Sequence, residues 1–503
     1  MNRKQRTEVH NPRFFKLRDS FLLQEEESYP ISSRKTFDLS TSENKILTTF
    51  CIVSAFLCLQ LAMSLNSYSG ESKPPMYGDY EAQRHWMEIT YNLPIEQWYV
   101  NGTHNNLLYW GLDYPPLTAY HHYILGALAN KINKNWVELK TSHGYESTNH
   151  KLFMRLSAII PFYIFYLPSL IYFLSSTKNV TPLIYALALF YPAIIFMDNG
   201  HFQYNSISLG LFLATYVFLT KNYTISGSIF FVAALNYKQM ELYHALPVFV
   251  FILSRSIKKG QLFNSFFNVS KIGAVVITSF IIIWLPFLLT NTAKDVLIRI
   301  FPFNRGLYED KVASFWCAFS FILKRLPIQN LHIYLSTTFV LLCSAPSLVS
   351  LFLHPSDRNF RISLFATSLS FFLFSYHVHE KTILLASIPA LLLISEYTNE
   401  VLWFLNVTNI SIFSLCVKDD LTLAIILFFA YSIVAYSSLS SKKTEFIISN
   451  IFGFSICILE LYGPSIKMFP QIYQLANALF CCIHFLYFLV FSSVLMFPKE
   501  KQE

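Results

Sequence analysis

The chain has 503 residues, 53% of them hydrophobic and only 14% charged, with a mean hydropathy of +0.40 and 49 phenylalanines. That balance excludes an ordinary water-soluble domain and predicts an all-α polytopic membrane protein. A formal net charge of +8 would suit a nucleic-acid partner, but much of the excess lies before residue 46, from Arg3 and Lys4 to Lys45, where membrane topology explains it more simply.

Residues 1–45 are polar, carry Glu25, Glu26 and Glu27, and show no apolar periodicity, so a weakly ordered cytosolic tail is expected. The run 46–65 is long enough to span a bilayer at about 20 residues. It lacks a small-residue cleavage site and reads as a retained first span with its leading end in the cytosol. Residues 66–150 then form a first lumenal or extracellular loop. It holds the sequon Asn101-Gly102-Thr103, which agrees with that orientation.

From residue 152 onward apolar runs follow one another closely, and several are too short to span alone, which sets the expectation at roughly 11–14 spans within 46–497. The basic stretch 255–259 and the linker with Arg358 and Arg361 suit cytosolic loops. Residues 291–312 form a second lumenal loop broken by proline and glycine. The tail 498–503 is cytosolic, and Lys499 and Lys501 stand where dilysine retrieval signals place lysines. Eight cysteines show no metal spacing or disulfide framework, and most fall in apolar runs, so buried thiols are expected.

Ionisable groups near membrane depth cost roughly 2.5–3.5 kcal/mol each on insertion scales, so clusters of them point to a cavity or pathway. Four segments qualify, 198–205, 236–241, 305–311 and 377–381, and with residues 78–120 they can line one site at the membrane surface. The stretch 78–120 is the richest, with Asp79, Glu81, Arg84, His85, Glu88 and Asp113 among Trp86, Trp98, Trp110 and several tyrosines.

Asp79 precedes a segment, 80–90, with helix-compatible spacing. Its carboxylate suits either an N-cap or a general base for a sugar hydroxyl. Arg84 and Glu88 stand at i and i+4 and suit a helix pair. Asp113, ahead of Tyr114 and two prolines, is either a turn former or a second carboxylate that orients an acceptor. The tryptophans are interface-belt anchors by default, with sugar stacking as the alternative. His377, His379 and Lys381 have too few ligands for a strong metal site; phosphate recognition by Lys381, Arg305 and Lys238 fits better, with a snorkelling lysine as the bland reading.

The motifs GDYEAQRHWMEIT at 78–90, WGLDYPPLTAYHH at 110–122, FPFNRGLYEDKVASFWC at 301–317 and YHVHEK at 376–381 closely resemble the dolichyl-phosphate-glucose-dependent glucosyltransferases of asparagine-linked glycosylation. The resemblance runs from about residue 46 to the C-terminus and implies a GT-C type glycosyltransferase of the endoplasmic reticulum membrane, with its site in the first lumenal loop. The pattern at 78–86 is similar to members that add the first glucose, in α-1,3 linkage, to the nine-mannose lipid-linked oligosaccharide; members that add the second glucose are the alternative.

By this resemblance Asp79 is the catalytic base. Glu81, Arg84, His85, Trp110, Asp113, Tyr114 and Glu309 are expected at acceptor or donor, and Lys238, Arg305, His377, His379 and Lys381 at the donor phosphate. Dolichyl phosphate glucose and the dolichyl-pyrophosphate-linked oligosaccharide are the expected substrates; no metal or other cofactor is expected. A polytopic lipid or solute transporter is the reading from another class, but the acid-rich loop after a single span favours an enzyme, and no internal repeat of the transporter kind is present.

Overall fold

A computed structural model describes residues 42–257, 260–301, 312–325, 331–376, 378–467 and 469–496. Arg305, Glu309 and His377 lie outside the described residues, as do most of the N-terminal tail and the terminal lysines. Contacts divide the chain into two units, 1–54 and 55–503. The first contributes only the opening turns of the helix Ser42–Ser64; the loops, the remaining helices and their polar side chains belong to the second.

All regular elements among the described residues are helical. Among the described residues eight helices are long and apolar enough to cross a membrane: Ile46–Ser64, Thr148–Ser176, Pro182–Phe202, Leu262–Leu289, His332–Leu353, Thr398–Lys418, Lys443–Tyr462 and Ile472–Leu495. Three shorter apolar helices, Asn205–Thr220, Thr224–Tyr237 and Thr422–Ser438, accompany them. The molecule is an all-α polytopic membrane protein.

Polar contacts between connecting segments identify two ends of the helix array. At one end Arg155 donates to the carbonyls of Gly200 (2.9 Å) and Ser67 (2.8 Å), the Ser67 hydroxyl donates to the Asp419 carbonyl, and Gln239 donates to the Asp113 carbonyl at 3.2 Å. At the other, Arg255 pairs with Asp357 at 3.1 Å, Arg361 with Glu396, and Lys442 with Glu400 at 2.6 Å. Helices bridge these ends in alternation, and between them hydroxyls and indoles tie neighbours together. Ser363 donates to the Ser347 carbonyl at 2.8 Å and Trp403 to the Ser449 hydroxyl at 3.0 Å, bonds available where lipid offers none.

The first loop folds as a cap on its end of the array. Its helix Gly78–Asn92 has good helix formers and places Asp79 and Glu81 in the first turn, where carboxylates complement the macrodipole. Pro94 forces Leu93 to φ −106°, ψ 150°, which stops it. The helix Pro116–Ile132 starts on a proline at its first position. The two cross closely: a Cβ at Gly126 would lie 2.6 Å from the Met87 carbonyl oxygen. Behind that crossing, Met87, Leu125, Ala129, Trp136, Met154 and Ile207 form a core that joins loop to spans. Arg299 reaches the carbonyls of Gly111 (2.9 Å) and Leu112 (3.2 Å), and Tyr120 that of Ile283 (2.8 Å), so the cap is fastened on several sides.

Two expectations give way to this packing. Cys51 and Cys58 are exposed on the first apolar helix, while Cys317, Cys416, Cys457, Cys481 and Cys482 are buried; all eight are free thiols. Trp86 and Trp98 are buried in the cap and are not interface anchors. Trp98 donates to the Leu93 carbonyl at 3.0 Å and Trp86 to the Trp110 carbonyl at 2.8 Å.

Candidate active site

Asp79 is not the N-cap of its helix. Tyr77, in the left-handed region at φ 56°, takes that position without a side-chain cap, and Asp79 lies one residue inside the first turn. Gly78 makes the entry possible: it has φ +66°, and a Cβ there would lie 2.5 Å from the Ser69 carbonyl oxygen. The chain is thereby clasped against residues 69 and 70, and the Asp79 carboxylate faces the array.

Three side chains from elsewhere converge on one oxygen, Asp79 Oδ2. His201 Nε2 lies at 2.9 Å, Gln203 Nε2 donates at 2.6 Å, and the Lys381 ammonium forms an ion pair with it. Among the described residues no hydrogen bond reaches Oδ1. The Asp79 and Lys381 side chains each keep about a fifth of their surface, 21% and 20%, so the pair faces a partly open space. Burial alone would raise the Asp79 pKa, but the Lys381 ammonium and then His201 hold its carboxyl well below the usual carboxylate range.

His201 reaches Asp79 because the helix Pro182–Phe202 ends in a π-helical segment, Phe196–Phe202, whose polar residues are each pinned. Asp198 accepts from the backbone N–H groups of Asn205 (3.0 Å) and Ser206 (2.7 Å), capping the next helix. Asn199 accepts from Gln60 at 3.0 Å, and Arg155 holds the Gly200 carbonyl. On its other side His201 Nδ1 meets the Asp419 carboxylate.

A second polar group lies beside this centre. The Lys238 ammonium donates to Asn205 Oδ1 and stands 5.3 Å from the Tyr114 ring centroid. Burial, then Lys381, pushes its pKa down to about 8. Tyr114 packs edge-on against Trp86, and its carbonyl accepts from Tyr99 at 2.7 Å. Asp113 is half-buried next to it. Trp110, at φ 50°, donates its indole N–H to the Met76 carbonyl at 2.5 Å and so braces the entry to Gly78. His379 is half-buried at the start of the turn Glu380–Ile383 that carries Lys381.

Glu81, Arg84 and His85, expected at the substrate, instead form a buried network inside the cap. Arg84 grips Glu81 with two N–H groups (2.6 and 2.7 Å) and Glu88 with one (2.7 Å), and it also donates to the Ser142 hydroxyl at 2.5 Å. Tyr109 donates to Glu81 at 2.8 Å. The Arg84, Glu81 and Glu88 side chains are at most 1% exposed, so they hold the cap together and do not face its surface. His85, with His143, flanks Glu88, and the three bring candidate metal ligands within 4.8 Å of one another. The Glu88 oxygens, however, already accept from Arg84, from the Ser142 hydroxyl (3.2 Å) and from the Lys140 N–H (2.7 Å), which describes a hydrogen-bond network.

The structure therefore joins Asp79 to Lys381, and Lys238 to Tyr114, as one polar centre. It adds three residues absent from the expected set: His201, Gln203 and Asp419. The first two fall in the polar segment 198–205, which membrane depth alone had marked. Asp419 sits between two apolar runs as an ordinary linker acid, and nothing local distinguishes it.

Fold and site define a class: a polytopic, all-helical membrane protein that carries a carboxylate-centred polar site beneath a cap at one end of its spans. Residues 51–492 match the ALG6, ALG8 glycosyltransferase family, and the chain belongs to that family. It is 68% identical over 492 residues to the Caenorhabditis elegans protein named "Probable dolichyl pyrophosphate Man9GlcNAc2 alpha-1,3-glucosyltransferase", covering 98% of each chain. It is 40% identical over 494 residues to the Gallus gallus dolichyl pyrophosphate Man9GlcNAc2 alpha-1,3-glucosyltransferase, covering 90% of this chain and 97% of the relative. The Saccharomyces cerevisiae protein of the same name is 40% identical over 403 residues, with 76% of this chain and 72% of the relative covered.

Proposed function

We propose that the chain is a glucosyltransferase of the endoplasmic reticulum membrane that moves glucose from dolichyl phosphate glucose to dolichyl-pyrophosphate-linked Man9GlcNAc2, forming an α-1,3 linkage. The relatives' names support the acceptor and the linkage, and an acceptor named without glucose favours the first addition over the second. The observation that carries the chemistry is the Asp79 carboxylate, with one oxygen held by His201, Gln203 and Lys381 and the other unengaged among the described residues.

In this reaction the acceptor C3 hydroxyl donates its proton to Asp79 Oδ1 as its oxygen attacks the anomeric carbon of the β-linked glucose. The bond from that carbon to the phosphate oxygen breaks, the electron pair leaves with dolichyl phosphate, and one displacement inverts the configuration to α. Lys381 and Lys238 are assigned to stabilise the leaving phosphate, a role their ammonium groups suit. A phosphate that draws the Lys381 ammonium away from Asp79 also makes the carboxylate more basic, so donor arrival and base activation are coupled. Tyr114, beside Lys238, with Asp113 next to it in the chain, and His379, two residues before Lys381, are assigned to substrate contact.

The site end is lumenal in this reading. Asn101 is exposed there, while Arg255, Arg358 and Lys442 gather at the opposite end, as the positive-inside rule requires of a cytosolic face. Purified protein in lipid, given dolichyl phosphate glucose with acceptors carrying zero or one glucose, tests the proposal. Faster transfer to the unglucosylated acceptor is expected; preference for the singly glucosylated one, or no glucosylated product, contradicts it.

A further inference from the structure

We propose that His201 and Asp419 are a positioning pair for Asp79: Asp419 fixes the imidazole so that its Nε2–H locks Oδ2 and leaves Oδ1 to take the acceptor proton. This rests on the reading of Asp79 as the base. It goes further by assigning work to two residues outside the first loop, on segments that meet only in the folded chain.

The His201 and Asp419 side chains are each 3% exposed. Each ring nitrogen faces a carboxylate oxygen, and carboxylates only accept, so the imidazole that satisfies both contacts carries both N–H groups. Its surroundings supply Asp79 from the cap, Lys381 from the turn Glu380–Ile383, Asp419 from the end of a span, and Arg155, whose guanidinium holds the neighbouring Gly200 carbonyl. Asp79 and Asp419 thus face the cations Lys381, Arg155 and a doubly protonated His201, so each buried carboxylate has opposite charge beside it. An imidazole free to rotate would release its share of Oδ2 and leave the carboxylate to turn under Lys381 and Gln203. With Asp419 behind it the ring cannot turn without losing a buried charged contact. The same orienting logic places an acid behind the histidine of hydrolytic triads, though here the histidine steadies the base and is not the base itself.

The test uses the full-length protein in lipid with dolichyl phosphate glucose and the unglucosylated acceptor. His201→Ala is expected to lower kcat about 100-fold, the loss typical of one preorganised donor, with both KM values within about twofold. Asp419→Asn, which keeps size, lowers kcat in the same direction. Because Asp419 acts through His201, the double variant is no slower than His201→Ala. His201→Gln, which still offers an N–H to Oδ2, regains part of the rate. Effects that multiply in the double variant, a loss confined to KM, or a His201→Gln no faster than His201→Ala would overturn the proposal. Should His201→Ala fold poorly, His201→Gln and Asp419→Asn carry the same test. Asp79→Asn separates the two layers: if it alone abolishes turnover while His201→Ala and Asp419→Asn match wild type, the pair is wrong and the base stands. If Asp79→Asn turns over normally, the base itself is wrong.

Discussion

At Asp79, donors that lie between 122 and 302 residues away in sequence meet one carboxylate oxygen. The residue types were legible: an acid, a lysine and a histidine in otherwise apolar sequence each need a partner. Which partner each takes was not, because pairing across such separations depends on how spans pack, and Asp419 offers no local sign at all. Lys238 gives a prediction at this scale. With its pKa near 8, the ammonium is present below that value and lost above it. If it serves the donor phosphate, kcat/KM for the donor falls as pH rises through about 8, and Lys238→Arg moves that limb to higher pH, since a guanidinium keeps its proton. A pH–rate profile that the substitution leaves unmoved would remove Lys238 from the phosphate end of the site.

The helix Gly78–Asn92 shows what periodicity reveals and what it hides. Helical spacing over 80–90 and the Arg84–Glu88 pair at i, i+4 follow from sequence, and both are present. The same spacing puts Glu81, Arg84 and Glu88 on one face, but whether that face meets substrate or protein depends on Tyr109 and on the segment from Trp136 to Ser142 folding over it. Arg84→Met strands two buried carboxylates, so it should destabilise the protein by about 3–5 kcal/mol, read as a lowered thermal midpoint. The pH dependence has a definite sign. Burial would raise the Glu88 pKa, but His143, His85 and Arg84 depress it far more. Its stabilising contribution is therefore complete above the unfolded carboxylate pKa, about 4.3, and is lost progressively as pH falls below that. Glu88→Gln should flatten the acid limb of the thermal midpoint against pH; an unchanged limb would assign acid sensitivity elsewhere. At the helix entry, Gly78→Ala combines a positive φ with a clash against residue 69, and should lower kcat by displacing Asp79 while most of the fold survives.

Over the whole molecule, composition announced membrane spans, and the helix array bears that out. The cap was less legible: the helix Pro116–Ile132 and the burial of Trp86 and Trp98 follow from long-range packing against spans such as Leu262–Leu289. The alternation of ends makes a topological prediction. In sealed microsomes a protease-sensitive tag beside Gly260 should be cut from outside, whereas one beside His104 should be protected until detergent is added. The reverse pattern would put the site on the wrong side for a lumenal reaction. In the proposed reaction this array holds Asp79 ready to take a proton from the acceptor. Single-turnover glucose transfer by Asp79→Asn, in lipid and with the thermal midpoint matched to wild type, tests it most directly. The asparagine keeps the size and loses the base, so the rate should fall by about 10²–10⁴-fold with donor binding retained; a rate within about twofold of wild type would contradict the account.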